Sequence, residues 1–179
     1  NEVTLSNCLF EDSKKINGGD DAVNVKNSSV LITNSIFKGN EGDAVDFDFV
    51  NNGSKIESSK FINNNNDGID VSSSNIVIEN CEIDSNSDKG ISAGENSKID
   101  ILDSVIINNK IGVASKDESY VELIDSKISN NIVGLALYNK KQFYHEPSAK
   151  INNTLVKSNY LNCGLEKFNK FGHGSPEVS

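Results

Sequence analysis

The chain has 179 residues, 36% of them apolar, no Trp or Met, and a formal net charge of −9, a length and composition that predict one domain with a narrow core. All 17 basic residues are lysine, and no basic stripe is present to neutralise phosphates, which excludes a nucleic-acid partner and argues against an anionic membrane surface. No run of 18 apolar residues supplies a membrane-spanning helix, so membrane insertion is not expected.

The first element, Val3-Thr4-Leu5-Ser6-Asn7-Cys8, is strand-like and already lies inside a repeat. No signal peptide is visible ahead of it, so an excised fragment or a mature form is expected. From there the chain repeats itself. Asp21-Ala22-Val23-Asn24-Val25 is followed by Asp43-Ala44-Val45-Asp46-Phe47, Asp67-Gly68-Ile69-Asp70-Val71 and Lys89-Gly90-Ile91-Ser92-Ala93. Ile111-Gly112-Val113-Ala114-Ser115 and Val133-Gly134-Leu135-Ala136-Leu137 complete the series, and the first residues are 22, 24, 22, 22 and 22 positions apart. A period of that size marks one supersecondary unit that buries its apolar face only by stacking on its neighbours.

Residues 76 to 97 show the unit. Ile76-Val77-Ile78 alternates as a strand, Asn80 breaks it, Cys81-Glu82-Ile83-Asp84 forms a second short strand, and Ser85-Asn86-Ser87-Asp88 is turn chemistry. Gly90-Ile91-Ser92-Ala93 is the third strand, and Gly94-Glu95-Asn96-Ser97 is a loop. Columns agree between units. Asn7, Asn34, Ser58, Asn80, Asp103, Asp125 and Asn153 occupy the first bend, where Asn and Asp tolerate left-handed backbone. Cys8, Ser35, Ser59, Cys81, Ser104, Ser126 and Thr154 follow as a small-residue column, and Phe10, Phe37, Phe61, Ile83, Ile106, Ile128 and Val156 as an apolar inward stack. Asn40, Asn64, Asn86, Asn109, Asn131 and Asn159 predict a side-chain amide ladder along the axis. Cys8 and Cys81 share a column three coils apart, about 14 Å, which is too far for a disulfide.

Three short strands per unit, about seven units and no helical period predict an all-β, parallel β-helix over residues 1–167. Over residues 3 to 170 this pattern resembles the right-handed parallel β-helix family, whose members include pectate lyases and polygalacturonases. The resemblance implies right-handed coils, a bend at the Asn column between the family's second and third strands, and an active face on the first strand, here the Asp-rich one. The segments Asp88–Glu95, Ile111–Asp117 and Tyr138–Lys141 also resemble β-helix modules of bacterial cell-envelope proteins, some of them attached to spore-coat-type kinase domains. That likeness implies an extracellular or cell-surface location.

Alternation along the Asp-rich strands points Asn24, Asp46, Asp70 and Ser92 outward in one row, with Lys26, Asp48, Ser72 and Lys116 in the next. Asp21, Asp43, Asp67 and Lys89 stand at the strand entrance. Asp43, Asp46, Asp48, Asp67 and Asp70 therefore gather on two adjacent coils. Three readings of them stay open. Clustered carboxylates supply the oxygen ligands of Ca²⁺, the candidate cofactor. A close pair such as Asp46 and Asp70 divides into one protonated and one ionised carboxyl, as acid–base catalysis requires. A solvated acidic face edged by Lys26 and Lys89 is the third.

The family resemblance implies that a lyase would pair Ca²⁺ with a Lys or Arg base. Arg is absent, which leaves Lys89 and Lys116, although a surface lysine is protonated at neutral pH. Gly19-Asp20-Asp21 and Gly172-His173-Gly174 resemble polygalacturonase motifs, but the family holds these within a few coils. Here they stand at opposite ends of the chain, and the family's Arg-Ile-Lys motif is missing.

The loop from Asn139 to Ser148 is the largest departure from the period: 28 residues separate Asp125 from Asn153, against 22 in the preceding interval. Lengthened loops on one face of a solenoid are where binding occurs. Tyr138, Phe143, Tyr144 and His145 suit stacking on a sugar ring, and Lys140 and Lys141 suit its carboxylate; a packing flap is the alternative. His145 lacks a second ligand at zinc spacing. Residues 168–179, with Phe168 and Phe171, are expected to cap or trail from the last coil. The function expected is binding of a polysaccharide or other envelope component along the acidic face, with a polysaccharide lyase or glycoside hydrolase and a structural spacer as the alternatives.

Overall fold

Three bends per coil turn the chain, and nearly every one places a residue in the left-handed region. A computed structural model describes residues 1–15 and 19–165. In the first bend Asn7, Asn34, Ser58, Asn80, Asp103, Asp125 and Asn153 have φ between 44° and 55°. The sequence column for this bend is therefore a column of left-handed backbone, which Asn and Asp adopt at least cost among side-chain-bearing residues. A second column, Asp12, Gly39, Asn63, Ser85, Asn108, Asn130 and Ser158, turns the chain just ahead of the Asn ladder. A third begins at Asn27, Phe49 and Ser73 and widens to Glu95-Asn96 and Asp117-Glu118.

Between the bends run three sheets of seven strands each. The first runs from Glu2–Ser6 through Ser29–Thr33 to Ser148–Asn152. A second, of three-residue strands, runs from Leu9–Glu11 to Leu155–Lys157. The third, the Asp-bearing sheet, consists of Val23–Lys26, Val45–Asp48, Ile69–Ser72, Lys89–Gly94, Ile111–Lys116, Val133–Tyr138 and Leu161–Leu165. Strands consecutive in the chain belong to different sheets, and each pairs in parallel with its counterpart one coil away. This is the parallel β-helix that the 22-residue period requires, with six stacking steps along each sheet.

The interior is filled column by column. Phe10, Phe37 and Phe61 stack with centroids 4.8 and 4.9 Å apart and rings within 6° and 4° of parallel, spacings set by the coil rise. Ile83, Ile106 and Ile128 extend the column, fully buried. The Asn ladder also forms. The side-chain oxygens of Asn64, Asn86, Asn109, Asn131 and Asn159 each accept the preceding ladder amide, at 2.8, 2.8, 3.1, 3.1 and 3.0 Å. Each ladder oxygen from Asn64 to Asn159 also accepts the backbone N–H of the preceding Asn. Hydroxyls of the small-residue column do the same work at the first bend: Ser35 Oγ accepts the Cys8 N–H at 3.1 Å, and Ser59, Ser104, Ser126 and Thr154 repeat the contact. Their smallness fits the space, and their oxygen caps an otherwise unpaired donor. Glycine at position 90 reflects close approach: a Cβ there would sit 2.6 Å from the Gly112 carbonyl oxygen. Cys8, Cys81 and Cys163 are free thiols. The expected cap at residues 168–179 and the Gly172-His173-Gly174 segment lie outside the described residues.

Candidate functional site

Register on the Asp-bearing sheet aligns Asn24, Asp46, Asp70, Ser92, Ala114 and Ala136 in one outward row. Lys26, Asp48, Ser72 and Gly94 align in the second, and further along it Lys116 stands beside Tyr138. Both rows are as alternation predicts.

The entrance column behaves differently. Asp43 and Asp67 are only 7% and 3% exposed. They sit in the turn before the strand, where alternation no longer governs direction, and their carboxylates cap the next coil. Asp21 Oδ1 accepts the Asp43 N–H at 3.2 Å, Asp43 Oδ1 that of Asp67 at 2.7 Å, and Asp67 Oδ1 that of Lys89 at 2.8 Å. Lys89 ends the ladder: its Nζ lies 3.3 Å from Asp67 Oδ1 and also binds Asp88.

The five clustered carboxylates therefore divide. Asp48 is taken by an ion pair with Lys26, and Asp46 accepts the Asn24 amide. Asp43, Asp67 and Asp70 each bring a carboxylate oxygen within 4.8 Å of the other two. Ligand oxygens 2.3–2.6 Å from one Ca²⁺ lie up to about 5 Å apart, so this trio fits that ion's first shell. Burial, then the charge of Asp67, pushes the Asp43 carboxyl up to about 8. Burial, then Asp48 and Asp70, pushes Asp46 up to about 7. Burial also raises Asp67, against the pull of Lys89. A bound cation would displace protons from this group.

The two candidate bases differ. Burial opposes the charge on Lys89, but Asp67 and Asp88 outweigh it and hold the amine above the ordinary lysine range. That is the reverse of what a base needs. Lys116 is 7% exposed, and among the described residues no carboxylate lies within 4.0 Å of its Nζ. On the same sheet Ser92 is fully buried although its parity points outward, and its Oγ has no hydrogen-bond partner.

The long loop folds back over two earlier turns. The buried Asp117 carboxylate accepts the Lys140 and Lys141 N–H groups, both at 2.7 Å. Lys141 Nζ pairs with Glu95, and Asn139 Nδ2 donates to the Tyr144 carbonyl at 3.0 Å. The Phe143 and Tyr144 rings lie 4.6 Å apart, with Phe143 78% exposed. The predicted binding residues thus separate. Tyr138 belongs to the sheet, beside Lys116; Tyr144 and His145 belong to the loop; Lys140 is exposed; Lys141 is committed to Glu95. Sequence reasoning did not single out Asp117, Glu95 or Phe49, an exposed aromatic with φ 53°. Asp117 and Glu95 follow sheet strands at equivalent places in the repeat, which was the available signal.

A family model described as "Right handed beta helix region" matches residues 1–156. No curated protein matches the chain.

Proposed function

Because the chain belongs to the right-handed β-helix family, we propose that it is a binding module for a polysaccharide or other envelope component, seated along the Asp-bearing sheet. The observation that carries this reading is the Phe143–Tyr144 ring pair, Phe143 exposed and Tyr144 half-buried, anchored by Asp117 in the loop that departs furthest from the period. Aromatic faces take up the C–H faces of sugars, and the half-buried carboxylates of Asp46 and Asp70 accept hydroxyl hydrogen bonds. Ca²⁺ is the proposed cofactor, held by Asp43, Asp67 and Asp70, where it would offset their repulsion and offer a further contact to sugar oxygens. An extracellular or cell-surface location rests on the likeness of Asp88–Glu95 and its counterparts to cell-envelope modules.

A glycan array with added Ca²⁺ tests the reading. The wild-type chain should retain a defined set of glycans, and Phe143→Ala with Tyr144→Ala should lose it. An array without retained glycans would leave a structural spacer. The raised pKa of Asp46 beside Asp70 favours one second reading, a polysaccharide lyase or hydrolase on the same face. Incubation with polygalacturonate or alginate, followed at 235 nm for unsaturated product, separates a lyase from a binder.

A further inference from the structure

We propose that Asn52 is a self-modification site. Its side-chain amide closes on the Gly53 backbone nitrogen to a cyclic imide, which water reopens to aspartate or isoaspartate, with Asn75 as a positioning residue. The site lies where the second coil departs from the repeat. Asp48 aligns with Lys26 and Ser72, and Lys55 with Leu31 and Val77, so this bend holds two residues more than the bends on either side. The excess forms an exposed turn, Asn51-Asn52-Gly53, closed by the Ser54 N–H on the Asn51 carbonyl at 3.3 Å. Gly53 takes φ 87°, in the left-handed region that favours glycine.

Both reacting groups are presented there. Glycine carries no Cβ beside its nitrogen, and the space a Gly53 Cβ would enter is empty to 4 Å, so the nitrogen is open to approach. Among the described residues the Gly53 N–H has no acceptor. The Asn52 side-chain oxygen accepts the Asn75 side-chain amide, one coil away, at 2.8 Å. That bond polarises Cγ and stabilises the negative charge its oxygen gains when a nucleophile adds. Hydroxide removes the Gly53 amide proton, and the nitrogen bonds to Asn52 Cγ. The Cγ–Nδ2 bond breaks, and Nδ2 takes a proton from water and leaves as ammonia. Water then cleaves one of the two imide C–N bonds. Cleavage at Cγ gives aspartate, which keeps an oxygen for Asn75. Cleavage at the backbone carbonyl gives isoaspartate and leaves one more atom in the main chain. That extra length loosens a turn whose Asn51 carbonyl also holds Ser54 Oγ at 2.7 Å, the hydroxyl that caps the Val30 N–H at 3.0 Å. Either product adds one negative charge to the bend.

The test ages the folded chain at 37 °C and pH 8 and maps its tryptic peptides by mass spectrometry. The peptide of residues 39–55 should gain about 1 Da, the exchange of an amide nitrogen for oxygen, at Asn52 and more slowly at pH 5. Asn51 is the internal control, exposed in the same turn but followed by asparagine. Conversion at Asn52 no faster than at Asn51 overturns the site. Asn52→Gln, which would have to close a larger ring, should abolish the gain, and a gain that persists overturns the assignment. Asn75→Ala should slow conversion about threefold in the folded chain, the weight of one hydrogen bond, and leave the rate in urea unchanged. Equal rates in the folded chain overturn the role of Asn75. Hydrogen exchange in Ser54–Glu57 should be faster in the aged protein than in the fresh one, and an unchanged rate overturns the loosening of the turn.

Discussion

Asp43→Asn should flatten the dependence of stability on pH. The carboxyl of Asp43 rises from an ordinary 3.8 to about 8 in the folded chain, chiefly through burial and then through Asp67. An acid whose folded pKa lies above its unfolded one stabilises most below the unfolded value, and that contribution is lost as pH rises through the folded value. The window therefore runs from about pH 4 to about pH 8. Each pH unit in it costs about 1.4 kcal/mol per proton released on unfolding, and four units set a ceiling of about 6 kcal/mol. Asparagine keeps an oxygen for the Asp67 N–H, a 2.7 Å bond in the native chain, and removes only the charge. Urea unfolding followed by circular dichroism at pH 5, 6 and 7, without divalent cations, gives the comparison. Wild type should lose about 3 kcal/mol more than the variant across that range. Asp46 and Asp67 shift the same way in both proteins, so the difference isolates Asp43. Parallel curves would refute the assignment of a buried, proton-holding carboxyl to this turn.

Adding Ca²⁺ should raise the melting temperature of wild type by mass action, more at pH 8 than at pH 6 because protons compete, and Asp70→Asn should lose most of the gain; equal shifts in both proteins would remove the cation site. Asn86→Ala should cost about 2–4 kcal/mol in urea unfolding, since it strips partners from the Asn64 N–H and the Phe61 carbonyl inside the core. Gly90→Ala should cost about 1–3 kcal/mol, because the new Cβ meets the Gly112 carbonyl oxygen at 2.6 Å and Ile106 Cγ2 at 2.9 Å.

The repeat carried the fold because each column answers a local demand that residue type reveals. Asn at a left-handed bend, Phe or Ile at an inward position and Asn in a ladder are visible in one dimension, and Asn80, Phe37 and Asn86 take the places read for them. The site was less legible. Asp43 and Asp67 read as part of an outward acidic face because strand parity was carried into a turn, where the chain instead aims them at the N–H groups of the next coil. Lys89 read as a candidate base because its partners, Asp67 one coil back and its own neighbour Asp88, act only once the turn has closed. Lys141 read as free to meet a ligand, yet its acid, Glu95, is 46 residues away in the chain. Parity placed Lys116 and Ser92 correctly on the outward face. Their burial depends on side chains from neighbouring coils, which periodicity does not encode.

The proposed function places ligand along the Asp-bearing sheet. Hydrogen exchange with mass spectrometry, with and without the best-retained glycan of the array, tests it most directly. Protection should appear in residues 45–48, 69–72 and 89–94 and in the loop 139–147. Protection confined to the strands of the other two sheets, such as Ser29–Thr33 or Ile36–Lys38, would contradict it.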